Sequence, residues 1–140
     1  MSLVRVLVVD DVEGWRLSIS SLLREEPLFE IIGQVSDGLK AVRMAGQLQP
    51  TVVLLDIGLP GLNGIETGGW IRKLTPDVKL VFVSQQFDPD IARSALSLGG
   101  SAYVLKSDAG RELVAAIHSV VRGEKFVSRG LRGYGLLDGT

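Results

Sequence analysis

Four apolar runs in this chain end on groups that can do chemistry. Residues 3–9 run into Asp10-Asp11, residues 51–55 into Asp56, residues 79–83 into Ser84 and residues 102–105 into Lys106. Each group alone reads as ordinary loop solvation or a surface charge. They become a set if the runs are strands of one parallel sheet, because such strands end on one edge and ligands bind in the crevice beyond it. With a spatial order 2-1-3-4-5, Asp56 is central, with the acid pair on one side and the hydroxyl and amine on the other. Three carboxylates close together repel in a partly buried site and need a cation. Oxygen ligands suit a hard divalent ion, most simply Mg2+. A metal, an amine and a hydroxyl around one carboxylate form a cradle for a phosphoryl group. The expected reaction is attack of Asp56 on phosphorus to give an acyl phosphate. Mg2+ and Lys106 would stabilise charge on the equatorial oxygens, and Ser84 would donate a hydrogen bond to one of them.

The elements that must position these groups are legible in the pattern. The run before Asp56 is continuously apolar, as in a strand buried on both faces of a helix-covered parallel sheet. The loop after it, residues 57–64, holds three glycines and a proline. Strands are expected over residues 3–9, 29–35, 51–56, 79–83 and 102–105. Helices fall between them. Trp15, Ile19, Leu22 and Leu23 mark the first, closed by Pro27. Ala41, Ala45 and Leu48 mark the second, over 39–48, and residues 65–74 form the third. Asp88-Pro89 starts a fourth that runs to Leu98. Ser107-Asp108 caps a fifth, striped by Leu113, Ile117, Val120 and Val121 and stopped at Gly123. Alternation of five strands and five helices implies a doubly wound parallel α/β sheet with helices on both faces. Residues 129–140, with Gly130, Gly133, Gly135 and Gly139, read as a tail or a severed linker.

Composition narrows the function classes. A chain of 140 residues, 46% hydrophobic and 22% charged, is expected to be one ordinary globular domain. The formal net charge of -1 offers no basic surface for nucleic acid or acidic lipid. There is no cysteine, so disulfides, thiolate catalysis and cysteine zinc sites are excluded, and the one histidine, His118, cannot build a multi-histidine metal site. No run approaches the ~20 apolar residues of a membrane span, and the first strand starts too early to leave room for a signal peptide. A cytoplasmic protein is expected. Trp15, Trp70 and His118 read as packing or surface residues, and Tyr103 by itself as a core-edge aromatic.

The acid pair Asp10-Asp11, the acceptor Asp56 followed by Leu59-Pro60-Gly61 and Gly64, then Ser84, Tyr103 and Lys106, resemble the receiver domain of two-component response regulators. The resemblance covers about residues 3–127, leaving 128–140 as the tail or truncated linker. It implies a flavodoxin-like, CheY-like fold with five strands in the order 2-1-3-4-5. It further implies that Asp56 accepts phosphate from a sensor histidine kinase. Asp11 would bind Mg2+ directly, Asp10 largely through water, and the Gly58 carbonyl would add a ligand. Ser84 and Tyr103 would form a switch pair that remodels the face made by the fourth helix, fifth strand and fifth helix. Homodimerisation on phosphorylation would follow, with no direct nucleic-acid contact by this domain and no membrane contact. Such a domain is not an enzyme beyond self-catalysed phosphoryl transfer and dephosphorylation.

The stretch 103–113, with Gly123-Glu124, is similar to the subfamily with a LuxR/FixJ-type helix-turn-helix output, a group of DNA-binding transcription regulators. Only 17 residues follow Gly123, too few for such an output domain. The resemblance therefore implies a stand-alone receiver or, preferably, a piece of a longer regulator.

Departures from the family pattern carry expectations. Gln85 follows Ser84, where a small residue is usual, and its long amide predicts slow phosphorylation by small donors. Gly58 and Gln86 occupy the positions that tune acyl-phosphate hydrolysis. Ser107 stands where many members carry proline after a cis bond, and a non-proline cis bond costs about 3–4 kcal/mol. Gly68-Gly69 inside the third helix should each cost roughly 1 kcal/mol relative to alanine, unless close packing requires them. Three rival readings meet obstacles in these residues. A haloacid-dehalogenase-like phosphatase needs a second aspartate where Gly58 stands. A flavin module would need an uncharged loop where Asp10-Asp11 stands. A degenerate dimerisation scaffold would not need the full acid set.

Overall fold

The computed structural model describes residues 3–137. Strands and helices alternate: β1 (Val4–Val9), α1 (Glu13–Arg24), β2 (Phe29–Val35), α2 (Gly38–Leu48), β3 (Val52–Asp56), α3 (Gly64–Leu74), β4 (Lys79–Ser84), α4 (Pro89–Ser97), β5 (Ala102–Leu105), α5 (Ala109–Val121) and a short β6 (Phe126–Val127). All strands are parallel, in the order β2-β1-β3-β4-β5-β6. The fold is thus flavodoxin-like, but the sheet has six strands where five were expected. The sixth escaped the sequence pattern because two residues are too few to show a period. It pairs Phe126 with Ala102 and Val127 with Tyr103, covering the edge that β5 would otherwise expose.

Side chains alternate along each strand, so each strand feeds two cores. Val53, Leu55, Leu80, Phe82 and Tyr103 face a cluster completed by Ala41 and Ala45 of α2, Ile71 of α3 and Ala92, Ala95 and Leu96 of α4. Val52, Leu54, Val81, Val83 and Val104 face the opposite cluster, with Ile19 and Leu23 of α1 and Leu113, Ala116, Ile117 and Val120 of α5. Burial on both sides is why β3 reads as an unbroken apolar run.

Helix starts follow the side-chain chemistry. The Asp37 carboxylate accepts from Lys40 N, the Asn63 side chain from Glu66 N, and the Asp88 carboxylate from Asp90 N and Ile91 N. The fifth helix is the exception. Residues Lys106–Asp108 form a single 3-10 turn, and Asp108 is already in the right-handed region, so it makes no side-chain cap. Its carboxylate instead reaches Arg111 at 2.9 Å. There is no cis peptide bond among the described residues, so Lys106-Ser107 is trans.

The glycine-rich stretch after Val127, expected to trail off as a tail or linker, is packed onto the sheet edge. Residues Arg129–Tyr134 form a 3-10 segment, and Leu131 and Leu136 are buried in the same cluster as Tyr103. Ser128, fully buried, ties the segment down: its Oγ accepts from Leu105 N at 2.8 Å and donates to Glu112 Oε1 at 2.7 Å. Arg129 N reaches the other Glu112 oxygen at 3.0 Å, and Arg93 of α4 donates to the Tyr134 carbonyl. Expected tail residue Gly139 lies outside the described residues.

Candidate functional site

The carboxyl ends of β1, β3, β4 and β5 bring the expected groups to one cleft of about 270 Å3, lined by Asp11, Asp56, Gly58, Ser84, Gln85 and Lys106 among others. Oxygens of Asp10, Asp11 and Asp56 lie within 4.8 Å of one another. Lys106 Nζ is 2.7 Å from Asp10 Oδ2 and 3.7 Å from Asp56 Oδ2. A larger groove of about 540 Å3 lies at the other end of the strands, beside Arg72, Gly99 and Lys125, away from these carboxylates.

Local backbone chemistry fixes two of the three acids. Asp10 is fully buried; its Oδ1 accepts from Val12 N at 2.8 Å, and its carbonyl accepts from Arg16 at 2.8 Å. Asp56 is 5% exposed, and its Oδ1 accepts from Gly58 N at 3.1 Å. Gly64 holds the following loop against β3: its N–H donates to Ile57 O at 3.1 Å, and a Cβ there would overlap the Asp56 carbonyl oxygen. Asp11 is exposed at the rim.

Burial pushes the Asp56 carboxyl above its ordinary range; the Gly58 hydrogen bond opposes this, the Asp10 charge reinforces it, Lys106 opposes it and Asp11 reinforces it. The site thus carries negative charge that Lys106 only partly balances. Asp10 Oδ2 is buried without a hydrogen-bond partner, its contact with Lys106 being a charge contact outside hydrogen-bond geometry. Three converging carboxylates, two of them buried, against a single ammonium fit a hard divalent cation. Asp10, Asp11 and Asp56 are the residues placed to hold it. Gly58, expected to lend its carbonyl, lines the cleft and engages Asp56 through its N–H.

Ser84 is buried, and its hydroxyl is turned to the backbone of its own turn, accepting from Gln86 N at 3.1 Å. Tyr103 is fully buried with its hydroxyl beside the Ser84 side chain but in no satisfied hydrogen bond. Burial raises the Tyr103 pKa, the Ser84 hydroxyl opposes the rise and the Asp88 charge adds to it. Gln85 is exposed on the cleft wall.

Two neighbours of the site were read from sequence as something else or not singled out. Trp15 is half-buried against the α1–α5 core, and Lys106 Nζ sits 4.6 Å from its ring centroid. Its place four residues after Asp11, on the first helix turn, was the available signal. Arg16, next in the chain, anchors the Asp10 carbonyl. Trp70 is 52% exposed, with Lys73 over its ring, and His118 stacks on Phe29 with Nε2 3.3 Å from Glu26. Neither Trp70 nor His118 lines the cleft. Among the described residues, no helix is long and apolar enough to cross a membrane.

The chain is similar to the transcriptional regulatory protein LiaR of Bacillus subtilis, 34% identical over 122 residues covering 87% of this chain and 58% of LiaR. It is similar to the response regulator GacA of Pseudomonas viridiflava, 32% identical over 126 residues covering 90% of this chain and 59% of GacA. The chain therefore spans less than two thirds of the curated relatives it matches. A crystal structure of a LuxR-family two-component response regulator from Aurantimonas sp. superposes with a TM-score of 0.90 at 28% identity, covering 94% of each chain. Residues 6–118 match the response regulator receiver domain, and the chain belongs to that family, on the side of its LuxR/FixJ-type members.

Proposed function

We propose that this domain is a phosphorylation-activated switch in which Asp56 accepts a phosphoryl group from a sensor histidine kinase. The observation that carries the reading is the convergence of three carboxylates within 4.8 Å, with Lys106 Nζ 3.7 Å from the Asp56 carboxylate. Mg2+, when bound by Asp10, Asp11 and Asp56, supplies charge neutralisation for the phosphoryl oxygens. The Gly58 N–H fixes the plane of the Asp56 carboxylate by holding Oδ1. An Asp56 oxygen forms a bond to phosphorus as the phosphorus–nitrogen bond of the donor breaks, and the donor nitrogen keeps the electron pair. Lys106 holds positive charge beside the arriving oxygens. The chemistry is one transfer onto the protein and its later hydrolysis, without turnover of an outside substrate.

The readout runs through Ser84 and Tyr103. Ser84 leaves the Gln86 backbone to donate to a phosphoryl oxygen, and the α4–β5–α5 face changes around the buried Tyr103 ring. That change controls a partner, a second copy of the domain, or a DNA-binding output of the kind found in full-length regulators of this subfamily. Incubation with phosphoramidate and Mg2+, read by intact-mass spectrometry, should add one phosphoryl group to the wild type and none to Asp56→Asn. Equal labelling of the two proteins overturns the reading.

A further inference from the structure

We propose that Trp15 is a positioning residue for Lys106, its indole face walling the ammonium into reach of Asp56; this rests on the phosphoacceptor reading of Asp56. The Lys106 stem is flexible and its charge is a point, so its direction must be set by what surrounds it. Its side chain is only 8% exposed, and three neighbours are in place around Nζ: Asp10 Oδ2 at 2.7 Å, Asp56 Oδ2 at 3.7 Å and the Trp15 ring centroid at 4.6 Å. The backbone gives little direction, since Lys106 opens a single 3-10 turn. The two carboxylates are the same groups a divalent cation would occupy. If Asp10 also holds a cation, its Oδ2 would be shared, and the charge contact that orients Lys106 would be weakened. The indole does not compete for a metal, and its quadrupole holds the ammonium whether or not the carboxylates are taken. α1 fixes the ring itself, which packs on the α1–α5 core.

A ring that only fills space would be replaceable by any large apolar side chain. A ring that holds charge requires a π face. The test compares Trp15→Leu with Trp15→Phe in initial rates of phosphoramidate labelling at saturating Mg2+, a small donor that needs no kinase docking. Trp15→Leu should label about tenfold more slowly than wild type and Trp15→Phe within about threefold, the span expected of a shielded cation–π contact. A second readout needs no transfer. The chain has two tryptophans, so Trp70→Phe leaves Trp15 as the sole tryptophan, excited selectively over the tyrosines. In that background Lys106→Met should shift the Trp15 emission of the metal-free protein, whereas Lys73→Met, which removes a lysine beside position 70 and away from Trp15, should not. Equal rates for the Leu and Phe variants, or Trp15 emission unmoved by Lys106→Met, overturn the inference while leaving Asp56 as acceptor. A wild type that takes no label overturns the phosphoacceptor reading and this inference with it.

Discussion

Replacing Ser128 with alanine should destabilise the whole domain, although the residue lies in a stretch with the composition of a linker. Its hydroxyl is fully buried and serves two partners: it accepts from Leu105 N at 2.8 Å and donates to Glu112 Oε1 at 2.7 Å. The alanine variant leaves a buried backbone N–H at the end of β5 without an acceptor, which costs about 1–3 kcal/mol. Loss of the bond to Glu112 adds about 1 kcal/mol or less, because that carboxylate is partly exposed and keeps Arg129 N. The sum is roughly 1–4 kcal/mol. For a domain of this size that lowers Tm by about 3–14 °C. Thermal unfolding followed by far-UV circular dichroism, with urea unfolding as a check, measures it. A fall of less than about 2 °C would show that residues 126–137 do not pack on β5 as described.

Four further outcomes follow from the site and the glycines. Because Asp56 holds its proton more tightly folded than unfolded, its ionised form destabilises the fold above the raised folded pKa, and the penalty is gone below the ordinary 3.8. In chelator buffer Asp56→Asn should therefore be more stable than wild type at pH 7, with the gap closing as pH falls; a gap that widens on acidification refutes this. Mg2+ at ten times its Kd should stabilise the wild type by about 1.4 kcal/mol, and Asp11→Ala should lose most of the Tm shift; an equal shift in both refutes the shared site. Gly69→Ala should stabilise by about 0.5–1 kcal/mol, since a Cβ there meets nothing, whereas Gly68→Ala should destabilise because its Cβ presses on Phe82 and Leu80 at 3.0 and 3.1 Å. Gln85→Ala should label faster with acetyl phosphate than wild type, as the amide lines the cleft; rapid wild-type labelling with no gain in the variant refutes this.

The parts of this molecule that were readable from its residues share one property: their pattern is local. Four apolar residues before Asp56 announce a strand buried on both faces, and parallel strands must end on one edge, so Asp10, Asp56, Ser84 and Lys106 had to meet. The helix start at Asp88-Pro89 rests on a cap that acts over two or three residues, whereas the cap expected at Ser107-Asp108 does not form. What escaped is set by distant partners. β6 has two residues and exists because β5 offers it an edge. Leu131 and Leu136 sit among glycines, and only the tertiary cluster with Tyr103 buries them. The preference of Lys106 for Asp10 over Asp56, by 2.7 against 3.7 Å, is a matter of rotamers that spacing does not encode. The Gly68-Gly69 pair divides the same way: both look like weak helix, and only the approach of Phe82 distinguishes the glycine that packing demands from the one it does not.

The central claim is that acids from β1 and β3 share a divalent cation beside an Asp56 that takes a phosphoryl group. A crystal structure with Mg2+ and beryllofluoride tests it most directly. The account predicts beryllium bonded to an Asp56 carboxylate oxygen, an ion held by the Asp10, Asp11 and Asp56 set, and Lys106 Nζ moved from Asp10 toward a fluorine. An unmodified Asp56 carboxylate at saturating reagent, or an ion bound away from these three acids, would contradict it.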